Sequence, residues 1–172
     1  MQTKNLLMSS LALLLVTGCM PEPRPLAVLT RDSIISEAGI VLKGSDRLST
    51  PATFKPPLEI TIVAQTDSTN LRMAYTADQV IFNWEMDPTQ LRVDGGPADG
   101  LHKPGAGGIP RGKFVTIRWE VRAGEESIYV DGDLRFQHVG DYSGVDKAVS
   151  VFPANGSQVT VKSIKVKPLD RN

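Results

Sequence analysis

The sequence predicts an all-β protein, an antiparallel sandwich or barrel, on three observations. From Gly39 onward apolar and polar residues alternate with period two, the spacing that places alternate side chains on one face of a strand. Clusters of Gly, Pro, Asn and Asp interrupt these runs at intervals of about ten residues, as the turns of a sandwich or barrel do. No amphipathic helical pattern runs beyond two turns.

The first element is a leader. Lys4 is its only charge, and the apolar stretch from Leu6 to Val16, broken by Ser9 and Ser10, is too short to span a bilayer. A basic start, an apolar middle and then small residues make a secretory signal. Val16-Thr17-Gly18-Cys19 resembles the lipobox of bacterial lipoproteins, which implies cleavage after Gly18, acylation of Cys19 and a place outside the cytoplasm. Several acyl chains at about 0.8 kcal/mol per buried methylene hold a protein to a membrane essentially permanently. In many Gram-negative members of that class an aspartate after the cysteine signals inner-membrane retention; Met20 stands there instead, so the outer membrane is expected. Cys19 is the sole cysteine, which excludes an intrachain disulfide.

Removing residues 1–18 leaves 154 of the 172, and the formal charge goes from 0 to −1 because Lys4 leaves with the leader. That length suits one domain. The scattered basic residues provide no footprint for nucleic acid.

Residues 19–38 are expected to be a tether, since Pro21, Pro23 and Pro25 fix φ and withhold donors. A short helical turn is expected over Asp32 to Glu37. The globular domain is expected over 39–172. Its strands begin with Leu58, Ile60, Ile62 and Ala64 against Glu59, Thr61 and Gln65, followed by Leu71, Met73 and Tyr75 around Arg72. Next come Val80, Phe82 and Trp84 against Asn83 and Glu85, then Val115, Ile117, Trp119 and Val121 against Thr116, Arg118 and Glu120. Asp131-Gly132 between Ile128-Tyr129-Val130 and Leu134-Arg135-Phe136 predicts a type I′ hairpin. Near the end Val159 and Val161 set one phase and Ile164 and Val166 the other, so a bulge is expected near Ser163.

That hairpin, preceded by Gly112-Lys113-Phe114-Val115-Thr116-Ile117-Arg118-Trp119 and followed by a closing strand from Ser157 to Val166, resembles the late half of a laminin-G-type domain. The resemblance places the chain in the concanavalin A-like lectin/glucanase superfamily. It covers roughly residues 39–168, with recognisable motifs from Gly112 to Val166, and it implies a jelly roll of two packed antiparallel sheets.

The chemistry is less visible. Glu85-Met86-Asp87 resembles the start of the Glu-x-Asp-x-x-Glu strand of some glucanases in that superfamily, but Gln90 replaces the last acid and Pro88 interrupts, so the segment reads as a turn. Exported 3-keto-disaccharide hydrolase-like domains share the sandwich, and no motif here carries their activity. With two histidines and one cysteine, zinc sites and cysteine or serine triads have little material. Gly105-Ala106-Gly107-Gly108 lacks the strand-then-helix context of a phosphate cradle, and Asn155-Gly156-Ser157 is read as a turn.

Sugar binding takes an aromatic face and fixed polar groups. Asn83, Glu85, Asp87, His102, Asp141 and Tyr142 are the candidate ligand-binding residues. Tyr142, in a polar turn, is the candidate exposed ring, whereas Trp84 and Trp119 share the phase of apolar neighbours and are read as core. His138 is read as a sheet residue. His102 lies in the longest irregular segment, Asp94 to Gly112, with seven glycines and three prolines, read either as a floppy surface insertion or as a functional loop. No cofactor is expected; calcium on Asp94, Asp99 and Asp141 is conceivable, though no ligand spacing supports it. The reading is a noncatalytic, membrane-anchored module binding glycan or another envelope component. An exported carbohydrate-active hydrolase and a purely structural lipoprotein with protein partners are the alternatives.

Overall fold

The computed structural model describes residues 28–170. The signal segment, the lipobox with Cys19 and the three tether prolines lie outside the described residues. Thirteen strands and no helix occur among the described residues. In chain order they are β1 (Val28–Leu29), β2 (Ser33–Lys43), β3 (Leu48–Ser49), β4 (Leu58–Thr66), β5 (Leu71–Ala74), β6 (Gln79–Phe82) and β7 (Leu91–Asp94). There follow β8 (His102–Lys103), β9 (Val115–Val121), β10 (Glu125–Val130), β11 (Asp133–Val139), β12 (Ser150–Phe152) and β13 (Gln158–Pro168).

They form two antiparallel sheets, a seven-stranded one in the order β1-β2-β13-β4-β9-β10-β11 and a six-stranded one in the order β3-β12-β5-β6-β7-β8. This is the two-sheet jelly-roll sandwich. The period-two residues of β4, β5, β6, β7 and β9 supply its core: Ile60, Ile62, Met73, Val80, Val93 and Ile117 are all fully buried. Each such burial contributes about 1.5–3 kcal/mol. Trp119 is core, edge-to-face with Tyr75 at 6.2 Å, and the Tyr75 hydroxyl donates to the Phe54 carbonyl at 3.0 Å.

The two local predictions hold. Asp131 and Gly132 have φ of 51° and 94°, the pair of positive values a type I′ turn requires, between Val130 and Asp133, which pair in register. In β13 the register shifts between Val161 and Ser163 against both neighbours, which returns the two valine phases to one face.

Three expectations are corrected. Residues 33–38, assigned to the tether, lie in β2, which also takes all but Asp32 of the expected helical turn over Asp32 to Glu37: Ile34 and Ser36 are buried while Ile35 and Glu37 are exposed, a strand pattern fixed by pairing with β13. The third concerns β6, which stops at Phe82. Asn83 takes φ 48°, which ends the strand and reverses the side-chain phase, so Trp84 leaves the core.

A polar link joins the sheets at one end. Glu126 of β10 is buried, and its Oε2 accepts from the Thr76 hydroxyl at 2.7 Å and from the Trp119 indole N–H at 2.9 Å. Its Oε1 is buried without a hydrogen-bond partner.

Candidate functional site

The six candidate residues separate into four groups. Asn83 is 2% exposed and serves the scaffold: its Nδ2 donates to the Ile109 carbonyl at 3.0 Å and its Oδ1 accepts from the Ile109 N–H at 2.9 Å. With the Asn83 N–H on the Gly107 carbonyl at 2.9 Å and the Gly107 N–H on the Thr89 carbonyl at 2.8 Å, these bonds tie residues 105–109 to the end of β6. The long irregular segment is therefore pinned to the sheet, not a floppy insertion, and it contains β8.

Asp87 and Asp141 cap turns. The Asp87 carboxylate accepts from the Thr89 hydroxyl at 2.7 Å and its N–H at 3.0 Å, and Asp141 accepts from the Ser143 hydroxyl at 2.6 Å and its N–H at 2.9 Å. The two hydroxyl bonds are the leading reason that each carboxyl lies below its ordinary value. Tyr142 is fully buried, against the expectation of an exposed ring. Its hydroxyl bonds His138 Nδ1 at 2.7 Å, and burial, then the nearby Glu126 carboxylate, pushes that hydroxyl well above the ordinary tyrosine range. A polar turn sequence concealed an inward aromatic because flanking glycines and serines say nothing about where the ring points.

Glu85, through Arg72, and His102, through Gln90 and Trp84, each border the face of the six-stranded sheet that points away from the core. The register places Phe152, Arg72, Ile81, Arg92 and His102 in one row across β12, β5, β6, β7 and β8. Arg72 and Arg92 occupy the outward positions of strands whose alternate residues, Leu71, Met73, Leu91 and Val93, are buried core. Ile81 between them is 1% exposed although it lies outside the core cluster, so long side chains on its flanks cover it.

Hydrogen bonds knit this face together. Arg72 donates to Asn70 Oδ1 at 2.9 Å and to Gln79 Oε1 at 2.8 Å, and Gln79 donates to Asp94 at 2.6 Å. Arg92 pairs with Asp94 at 2.7 Å, and its guanidinium stands 4.8 Å from the centre of the half-buried Trp84 ring. The indole meets His102 edge-on at 5.5 Å, and Gln90 bonds His102 Nδ1 at 2.8 Å. Glu85 sits 3.6 Å from Arg72 and accepts from the Asn155 amide at 2.5 Å. At the far end Arg47 lies 3.7 Å over the Phe152 ring. Burial pushes the Arg72 guanidinium down from its ordinary value, opposed by Glu85 and Asp94.

The result is a shelf of fixed donors and acceptors with an aromatic ring near each end. Its density of charge-assisted bonds suits a polyhydroxylated ligand, which presents many donors and acceptors and a few apolar ring faces. Arg72 and Arg92 are not among the residues the sequence singles out, and Trp84, expected in the core, stands here instead. Their signal was present, an arginine on the polar phase of two short strands, but register decides that they are neighbours.

Of the three loop aspartates, Asp94 is paired with Arg92, Asp99 accepts from the Gly95 N–H and Asp141 caps its own turn. Among the described residues no group of three His, Cys, Asp or Glu side chains is placed to hold a metal. A shallow concavity of about 630 Å³ lies elsewhere, beside Pro57, Arg122, Gly124 and Val139, and brings no comparable set together.

No family model matches the chain, and no curated protein matches it in sequence. Solved structures do match in shape. A galectin of Caenorhabditis elegans, LEC-6, is 14% identical and covers 81% of this chain and 99% of its own, with a TM-score of 0.55. A Bacillus licheniformis beta-glucanase is 11% identical, with 81% and 83% covered and a TM-score of 0.59. The exoplasmic/lumenal domain of VIP36, in a Ca2+/Man-bound form, is 11% identical, with 85% and 82% covered and a TM-score of 0.55. The fold is the two-sheet antiparallel jelly roll that these structures share with the chain.

Proposed function

We propose that the protein is a glycan-binding lipoprotein module, held outside the cytoplasm through lipid on Cys19, that takes a saccharide on the outer face of its six-stranded sheet. The observation that carries this reading is the half-buried Trp84 ring set beside Arg92 and His102 within a network of mutually oriented polar groups. Trp84 offers apolar ring surface; Arg92, Arg72, Glu85 and Gln79 offer hydroxyl partners already fixed in position, which lowers the ordering cost of binding. Shape neighbours that include a galectin and the Ca2+/Man-bound form of the VIP36 domain support the choice of ligand class.

Binding is favoured over hydrolysis. Glycoside cleavage uses two carboxyl groups facing each other across the sugar, whereas the two carboxylates of this shelf, Glu85 and Asp94, are each engaged by an arginine. Glu85 also lies in a turn rather than on a strand, which leaves the glucanase-like spacing of Glu85 and Asp87 without its structural context.

The test is a glycan array probed with the intact chain, followed by titration of the best hit. Trp84→Ala is expected to weaken binding about tenfold or more, the scale of one aromatic contact, and Arg92→Lys to weaken it while leaving the circular dichroism spectrum and Tm unchanged. Equal affinity in wild type and both variants would remove the ligand from this face.

A further inference from the structure

The opposite face of the sandwich carries a different surface. On the outside of the seven-stranded sheet, Val28 of β1 pairs with Ile35 of β2, Ile35 with Ser163 of β13, and Ser163 with Val63 of β4, so these residues form one transverse outer row. Val28 is 58% and Ile35 38% exposed, and Val41, on the outer side of the same strand, is 48% exposed. Phe114, 37% exposed, carries the Lys162 ammonium 4.4 Å above its ring. A shallow concavity of about 370 Å³ lies between these elements and is lined by Ile35, Glu37, Val63, Lys162 and Lys165. The other half of this sheet face is a lattice of ion pairs, Lys167–Glu59 at 2.9 Å and Arg118–Glu120 among them. Exposed apolar side chains thus stand among lysines at this edge, while Leu134 and Val139 of β11 are exposed at the opposite edge of the same sheet.

That edge is also where the chain enters the domain. Val28 follows Cys19 by nine residues, a span of at most about 30 Å when fully extended. Resting on the reading of Cys19 as the acylated residue, we infer that this edge lies against the bilayer that holds the acyl chains, with Val28, Ile35, Val41 and Phe114 at the headgroup boundary and Lys162 and Lys165 on anionic lipid phosphates. The tether supplies the high local concentration that lets a small apolar patch and two or three cations suffice. Acidic groups stand at the same edge, Asp32, Glu37 and Asp46, the last accepting from the Lys43 N–H, one fewer than the cations Arg31, Lys43, Lys162 and Lys165. The geometry has a consequence for the glycan shelf. The two outer faces of a sandwich point in opposite directions, so seating the outer face of the seven-stranded sheet on the bilayer along this edge directs Trp84 and Arg92 away from the membrane and toward the surroundings.

The test uses the intact acylated chain reconstituted in vesicles of phosphatidylethanolamine and phosphatidylglycerol. Because Cys19 is the only native cysteine, a single added thiol can be labelled specifically with an environment-sensitive fluorophore. Ile35→Cys and Val41→Cys probe the proposed contact, and Met86→Cys, an exposed position beside the other face, is the control. Quenching by nitroxide lipids is expected to be at least threefold stronger at positions 35 and 41 than at 86, and to fall when Lys162 and Lys165 are both changed to Glu. Equal quenching at all three positions in a chain that floats with the vesicles overturns the docked orientation and leaves the anchor standing. A wild-type chain that fails to float, or a Cys19→Ala chain that floats as well as wild type, overturns the anchor and the docking with it. Shielding of positions 35 and 41 without vesicles, growing with protein concentration, assigns the patch to a second copy of the chain and overturns the lipid contact.

Discussion

Asn83 shows how much one side chain decides here. A positive φ is uncommon for a residue other than glycine and is best tolerated by Asn and Asp, and at Asn83 it both ends β6 and turns Trp84 outward. Asn83→Ala keeps the strained backbone, loses both bonds to Ile109 and leaves a buried N–H unpaired, a loss of about 2–3 kcal/mol measurable by chemical denaturation. Asp67 makes a different contribution. Its carboxylate accepts from the Gln158 N–H at 2.9 Å, and that bond is the leading reason its pKa lies below the ordinary value. A depressed folded-state pKa adds stability above the unfolded-state value and loses it as the pH falls through the folded one. Asp67→Asn is therefore expected to flatten the acid limb of a stability-against-pH curve below about pH 4; an unchanged limb would show that the bond adds nothing.

Among the elements, the segment from Asp94 to Gly112 departs furthest from its sequence. Its composition reads as loose, yet β7 and β8 pair within and beside it, and Gly107 packs so close that a Cβ there would lie 2.1 Å from the Gln90 carbonyl oxygen. Gly107→Ala is expected to push the segment off β7, lowering Tm by several degrees and increasing hydrogen exchange at Gly107 and Asn83 together; an unaffected Tm would show that the contact relaxes freely. β4, β9 and the β10–β11 hairpin were readable because their alternation, or an Asp-Gly pair, is a local signal. β12, with three residues, and β3 and β8, with two each, are too short to show periodicity and exist because a neighbour pairs with them. β2 was partly mistaken for tether because its first half is ordered by pairing with β1 and β13, which no local period reveals.

At the scale of the molecule, Glu126 links the two sheets from inside. Removing its carboxylate by Glu126→Ala strips the Thr76 hydroxyl and the Trp119 indole of their buried acceptor, with an expected loss of about 3 kcal/mol. Glu126→Gln keeps an acceptor in the same volume and is expected to stay within about 1 kcal/mol of wild type; equal losses in both variants, by thermal unfolding, would mean that the negative charge rather than the acceptor matters. By itself the sequence determined that the protein is built of strands, where its strongest strands lie, the turn at Asp131-Gly132 and the bulge beside Ser163, because each follows from the side-chain period or from the dihedral preference of one or two residues. Tertiary structure alone decided that Arg72, Arg92 and Trp84 share a surface, that Tyr142 is interior and that the glycine-rich segment is anchored. Those are questions of register and facing between segments distant in the chain, and register is set by the sum of pairings across a sheet, which no single stretch of sequence contains.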